Sequence, residues 1–269
     1  MFDMTSVQAF GASGCGAGGG STAPLPPALA RVLTRSGAVL AADVQTWLAS
    51  PEQGLTGRVD SIRGAGASVE ALARVSPSHP SPSSLEAVGT VVSERAFWAE
   101  ITGRGGAEPE TGVLGLTYDG SGAVSRVIWL RAPLVPAFAG AGEESPAPDG
   151  RPVLERYFAD LVSSRFREAA SHFTADTIYS HPPYFGGTER VLFRGREALG
   201  RGFVTERGPS PARQIITGCW QRGGRVFVEG VIEGIPDGGT FCSTAQITPE
   251  GEIARYVAFY SATRIPACG

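Results

Sequence analysis

The chain has 269 residues, a net charge of −3 and 42% apolar residues. That length and apolar content allow two domains with sizeable cores, while the small negative charge excludes a chain-wide attraction to nucleic acid or an acidic membrane surface. All 23 basic residues are arginine, which excludes a Schiff-base lysine, a phosphate-loop lysine and a Ser-Lys dyad.

Residues 1–24 lack a basic start and a sustained apolar segment and contain Gly-Ala-Gly-Gly-Gly-Ser, so they are expected to form a flexible tail rather than a secretory signal. The spacing of leucine, valine and alanine predicts a helix over Ala28–Trp47, opened by Pro27, and a short helix over Val69–Val75. Residues 76–84, with five serines and three prolines, read as a loop that leaves His79 exposed. Gly89–Ile101, Gly112–Tyr118 and Ala123–Leu130 read as strands, with Asp119-Gly-Ser-Gly122 as the last hairpin turn. The richest apolar run, Val127–Phe138, is too short for a membrane span and contains Arg131 and two prolines.

Residues 139–151 read as a linker, rich in Gly, Ala, Pro and acid. It separates a first unit, 25–138, from a second, 152–269. Val153–His172 has the clearest helical stripe, with Leu154, Phe158 and Leu161 on one side and Tyr157 beside it. Thr177–His181 alternates, so a strand would send Tyr179 and His181 to one face, and Pro182-Pro183 would stop it with His181 at its terminus. Gly195–Phe203 is a second short helix. Gln214–Gln221, Arg225–Gly234, Gly239–Thr248 and Glu252–Ala262 read as strands.

The two units share collinear matches. Trp98-Ala-Glu100 aligns with Phe227-Val-Glu229, and Gly122-Ala-Val-Ser-Arg126 with Gly251-Glu-Ile-Ala-Arg255, both 129 residues apart (229 − 100; 251 − 122). Ile62-Arg-Gly64 aligns with Phe193-Arg-Gly195, and Ser50-Pro51 with His181-Pro182, both 131 apart (195 − 64; 181 − 50). Such matches indicate a duplicated domain. The first copy has Ser50 where the second has His181, and its counterpart of Tyr157 falls at Pro24–Pro27, so the first copy lacks the chemistry.

Among titratable groups, His181 is the candidate base; a structural, hydrogen-bonded histidine is the plain alternative. Cys15, Cys219, Cys242 and Cys268 have neither metal-ligand spacing nor a dense secreted framework. With only three histidines, no metal site is expected, and free thiols point to a reducing, cytoplasmic setting.

The second unit, with Arg156-Tyr157-Phe-Ala-Asp-Leu161 on a long helix and Tyr-Ser-His181-Pro ending a strand, resembles the ketosteroid isomerase and SnoaL-like superfamily. The resemblance covers about residues 152 to 266, with a weaker echo over about 25 to 138. It implies an α+β fold: two tandem cone-shaped barrels, each a curved antiparallel sheet wrapped on helices, packed as a fused pseudo-dimer. A monomer is then expected in place of a homodimer, with an open pocket in the second unit alone and Trp98 and Trp129 filling the first. It also implies His181 as general base and Tyr157 as oxyanion donor, without a cofactor. A third family position, an aspartic acid, falls on Ser243. By strand parity Tyr179, Tyr256 and Tyr260 would line the pocket with Tyr184, against a wall of Val226, Val228 and Ile232. Glu229 and Glu233 fall on the opposite face, toward a subunit or solvent.

The implied activity is a cofactor-independent cyclase, isomerase, dehydratase or epoxide hydrolase. It would act on a small apolar or polyketide-like substrate in natural-product biosynthesis. Between Phe185 and Arg225 stand eight arginines against three glutamates, a solvated face or a guide for an anionic substrate or a carrier-protein partner. A non-catalytic small-molecule binding protein and a partner-binding module are the alternatives on the same scaffold.

Overall fold

The computed structural model describes residues 40–49, 58–74, 85–103, 110–133, 146–184, 187–236 and 238–267. The predicted tail, the 76–84 loop and most of the predicted linker lie outside them. The first unit comprises β1 (Leu40–Leu48), β2 (Asp60–Arg63), α1 (Ala65–Arg74), β3 (Leu85–Val92), β4 (Ala96–Gly103), β5 (Glu110–Tyr118) and β6 (Val124–Pro133). The second comprises α2 (Gly150–Val162), α3 (Phe166–Ser171), β7 (Phe173–His181), β8 (Val191–Arg194), α4 (Arg196–Gly202), a π-turn (Phe203–Arg207), β9 (Arg213–Arg222), β10 (Arg225–Glu233), β11 (Gly239–Ile247) and β12 (Ile253–Ser261).

Each unit is an α+β fold with a six-stranded mixed sheet, ordered β2-β1-β6-β5-β4-β3 in the first and β8-β7-β12-β11-β10-β9 in the second. The two orders are the same. β1 lies parallel to β6 and β7 parallel to β12, and the other pairs are antiparallel. Gly64 (φ 97°) and Gly195 (φ 86°) occupy matching turns into α1 and α4, where the left-handed backbone requires glycine.

Register corrects one alignment. Gln45 faces Arg126 and Arg63, as Ile178 faces Arg255 and Arg194. Leu48, not Ser50, is therefore the counterpart of His181, and Thr46 that of Tyr179. The Thr46 hydroxyl donates to Ser68 Oγ at 2.8 Å inside the first core.

Three elements differ from the sequence reading. Leu40–Leu48 is a strand, although Leu40, Val44 and Leu48 recur at helical spacing. It is inserted beside β6, where Val44 and Leu48 join the unit's core while Trp47 and Ala49 join a second core on the other face. Tertiary pairing overrides the local pattern. Gly89–Ile101 contains a hairpin at 93–95, where Ser93 Oγ accepts from Ala96 N at 3.0 Å. The long helix breaks at Ser164, whose φ is 56°, and Arg165 N returns to Asp160 O at 2.9 Å.

The sheets pack face to face around a shared core that includes Trp98, Val113, Ile128 and Leu130 of the first unit with Phe227, Cys242, Val257 and Phe259 of the second. These are equivalent positions 129 apart, the self-complementary arrangement of a two-fold interface. Trp98 and Phe227 meet across it with ring centroids 6.2 Å apart. Trp98 thus fills the inter-unit layer rather than the first unit's interior, because its strand parity opposes that of Phe97 and Ala99; Trp129 does pack into that interior. The bulk of Trp98 fits against Gly115, where a Cβ would lie 2.6 Å from its ring.

Two reciprocal ion pairs complete the contact. Arg126 Nη1 donates to Glu229 Oε2 at 2.8 Å and Arg255 Nη1 to Glu100 Oε2 at 2.8 Å, each with a second bond from Nη2 to the other carboxylate oxygen. All four side chains are buried. Thr244 Oγ1 adds a 3.2 Å bond to Glu100. The Glu229→Ala variant is expected to lose about 3–5 kcal/mol in denaturant unfolding, because Arg126 is left charged and buried. The double variant Arg126→Met/Glu229→Leu should recover most of that loss.

Candidate functional site

Helix α2 buries Val153, Leu154, Tyr157, Phe158 and Leu161 against one face of the second sheet. Asp149 caps it, accepting from Arg151 N at 3.0 Å. Gly150 is a close-approach position, since a Cβ there would meet Val226 at 2.5 Å.

Strand β7 sends Tyr179 into the same core, and Pro182-Pro183 then turn the chain so that Tyr184 folds back over the strand. The Tyr179 hydroxyl lies 3.2 Å from that of Tyr157 and 3.0 Å from that of Tyr184. The His181 ring lies between the two β7-side tyrosines, parallel to Tyr179 at 6.1 Å and stacked on Tyr184 at 4.8 Å. Tyr256 stacks on Tyr179 at 5.4 Å and faces Tyr157 edge-on at 5.7 Å.

The predicted site residues therefore separate into groups. Tyr157, Tyr179, His181, Tyr184 and Tyr256 form one cluster, and Val228 lies in the same core. Ser243 is buried, and its hydroxyl makes no hydrogen bond among the described residues. Tyr260 stands apart, packed over Gly239 with its hydroxyl donating to Gly238 O at 3.4 Å. Glu229 faces the first unit, and Glu233 is exposed. Phe173 and Phe203, which parity and spacing do not single out, close the cluster: Tyr157 meets Phe173 edge-on at 5.0 Å and Phe203 at 6.2 Å. Tyr157, Tyr179 and Tyr256 are each at most 2% exposed, so the interior is already occupied by aromatic rings.

A carbonyl oxygen only accepts, so the 2.7 Å contact between His181 Nδ1 and Pro182 O places the ring proton on Nδ1 and the lone pair on Nε2. Part of the side chain remains accessible, while the ring packs on Tyr179 and Tyr184. Burial pushes the His181 pKa down to about 3, opposed by the Pro182 carbonyl and reinforced by the Arg190 and Arg207 charges. Burial likewise raises Tyr157, Tyr179, Tyr184 and Tyr256, so all four remain neutral hydrogen-bonding groups. Three chained hydroxyls make two mutual bonds, which leaves one O–H of the three free to donate elsewhere.

Among the described residues, no group of three or more His, Cys, Asp or Glu could hold a metal ion, and no helix is long and apolar enough to cross a membrane. Cys219 and Cys242 are free thiols.

The depressed His181 pKa links stability to pH. Below the ordinary value of ~6.5 the unfolded chain takes up a proton that the folded ring refuses until about 3. The contribution is thus present above pH ~6.5 and is lost as pH falls toward about 3. Urea unfolding between about pH 7 and about pH 4 should show stability falling by up to about 1.4 kcal/mol per pH unit from this group. His181→Gln should flatten that slope.

No protein-family model matches the chain, and no curated protein matches it. Solved structures do. A proposed ketosteroid isomerase from Kribbella flavida is 19% identical, covering 45% of this chain and 83% of its own, with a TM-score of 0.35. A proposed polyketide cyclase from Sinorhizobium meliloti is 17% identical over 40% of this chain and 93% of its own, TM-score 0.33. A hypothetical protein with a ketosteroid isomerase-like fold from Catenulispora acidiphila, in complex with trimethylamine, is 18% identical over 43% and 87%, TM-score 0.34. Each similarity spans less than half of this chain and most of the other protein.

Proposed function

We propose that the second unit is a cofactor-independent acid/base catalyst acting on a small apolar, polyketide-like substrate, as a monomer whose first unit serves as scaffold. The observation that carries this reading is the His181 ring held between Tyr179 and Tyr184, with its Nε2 lone pair free of the Pro182 bond. Nε2 takes a proton from a carbon acid, and the half-buried Tyr184 donates its O–H to the oxygen that becomes negative. Tyr157 acts on that donor through Tyr179, setting which of the three hydroxyls carries the free proton.

A base with a conjugate-acid pKa of about 3 is weak. It suits carbon acids activated by two carbonyl groups, a chemistry in keeping with aldol or Michael cyclisation of polyketide-like chains. Isomerisation, dehydration and epoxide opening draw on the same pair of groups. A natural-product pathway, a cytoplasmic setting and delivery by a carrier protein belong to this proposal.

A second reading, a partner-binding module, is favoured by the near-complete burial of Tyr157, Tyr179 and Tyr256, since an interior filled by its own rings leaves little room for a small molecule. The test is hydrogen–deuterium exchange at the central methylene of an aryl 1,3-diketone, followed by NMR. The wild-type rate should exceed that of buffer; His181→Gln should lower it by roughly 10²–10⁴, and Tyr184→Phe by roughly 10²–10³. The catalysed rate should stay level with falling pH until about 3, where the ring becomes charged. A wild-type rate no higher than that of buffer would leave the non-catalytic reading in its place, and full exchange activity in His181→Gln would end the role given to His181.

A further inference from the structure

Helix α4 and the π-turn that follows it bury one stripe of side chains, Leu199, Phe203 and Arg207, each four residues after the last, while Val204, Thr205 and Glu206 are exposed. Phe203 faces the tyrosine cluster, edge-on to Tyr179 at 5.5 Å and 6.2 Å from Tyr157. Arg207 therefore holds the next position on an inward face, where an apolar residue would be expected, and is only 6% exposed. π-turns are rare and concentrate at functional sites.

No carboxylate accompanies this cation. Among the described residues Arg207 forms no ion pair, and the adjacent Glu206 lies on the exposed side of the turn. Its hydrogen bonds leave from Nη1 alone, to Leu161 O at 3.5 Å and Gly208 O at 3.0 Å. Nε and Nη2 have no partner among the described residues, and neither is among the polar atoms shut off from solvent, so this edge of the guanidinium is open to a ligand. The carbonyl end of α2 offsets only part of the charge. A buried cation without an acid is costly, and a bound anion removes that cost.

The groups beside it supply no negative charge either, since His181 and the four tyrosines are all neutral. Burial dominates the titration of Tyr179, His181 and Tyr184, and at each of them the Arg207 charge favours loss of the proton, as a nearby cation does. Arg190 serves another face: its Nε donates to Ser180 Oγ at 2.8 Å and its guanidinium lies over Phe259, in the inter-unit core. On the cluster side, the half-buried His181 and Tyr184 present two stacked rings, which suit an aromatic body.

We propose that Arg207 selects the molecule received at the tyrosine cluster, an aromatic carboxylate whose anionic group pairs with Nε and Nη2 while its ring lies against His181 and Tyr184. This inference rests on the reading of the cluster as a small-molecule site, and it names the charge that the site selects.

The experiment is a fluorine NMR titration of the full chain with 4-fluorobenzoate and, separately, with the uncharged 4-fluorobenzamide. Saturable binding is expected, about tenfold or more tighter for the benzoate, because only the carboxylate forms a charge-assisted bidentate pair. Arg207→Gln should abolish that preference, and Arg207→Lys should retain part of it because the charge remains. A purely structural arginine would change the melting temperature on substitution and leave the preference intact. Thermal unfolding checks that the variants fold. If neither folds, the wild-type preference decides, together with Overhauser contacts from the probe's fluorine to the His181 ring protons. Equal binding of the two probes, a preference that survives in Arg207→Gln, or the lack of contact with His181 would overturn the proposal. Diketone exchange without a carboxylate preference ends this proposal alone, whereas a carboxylate bound through Arg207 without catalysed exchange ends the catalytic reading alone.

Discussion

The buried pairs Arg126–Glu229 and Arg255–Glu100 constrain the whole molecule. Two charges removed from water repay their desolvation only with near-ideal geometry, and both pairs are bidentate. Geometry of that kind fixes the sliding and rotation of one sheet on the other more tightly than apolar contact does. Once the sheets are so fixed, both faces of the central strands are covered. This is why β11 is buried along its whole length and β10 along most of it, where a one-faced strand would alternate.

The reciprocal pairing also gives the duplication a physical purpose. Arg126 and Arg255 are equivalent residues, and so are Glu100 and Glu229, so one Arg–Glu contact generates the other by two-fold symmetry. The symmetry is broken where packing requires it: Trp98 against Gly115 in one unit stands for Phe227 against Thr244 in the other. The Thr244 hydroxyl then bonds Glu100, a contact that Gly115 cannot supply to Glu229.

With the scaffold role shared, the two interiors diverged. Thr46 and Leu48 occupy the register positions of Tyr179 and His181, so the first unit keeps the strand and lacks the hydroxyl chain and the imidazole. In the second unit the parallel β7–β12 pairing sets Tyr179 directly beside Tyr256, and the diproline turn returns Tyr184 to both Tyr179 and His181. The polar cluster is thereby assembled from residues near one another in sequence together with two, Tyr157 and Tyr256, brought by other elements.

The sequence by itself determined the two-fold repeat and the α+β class of each unit. These are carried by local features: glycines at forced turns, period-two alternation and repeated motifs 129 residues apart. Alternation also placed Tyr179, His181 and Tyr256 on one face, and opposed Glu229 to them. Only the tertiary structure decided that Leu40–Leu48 is a strand, because its apolar spacing suits a helix and pairing with β6 overrides it. It also decided the level at which His181 titrates. That value follows from burial of the ring and from the Arg190 and Arg207 charges, and how deeply the fold buries a strand-end residue leaves no trace in local alternation.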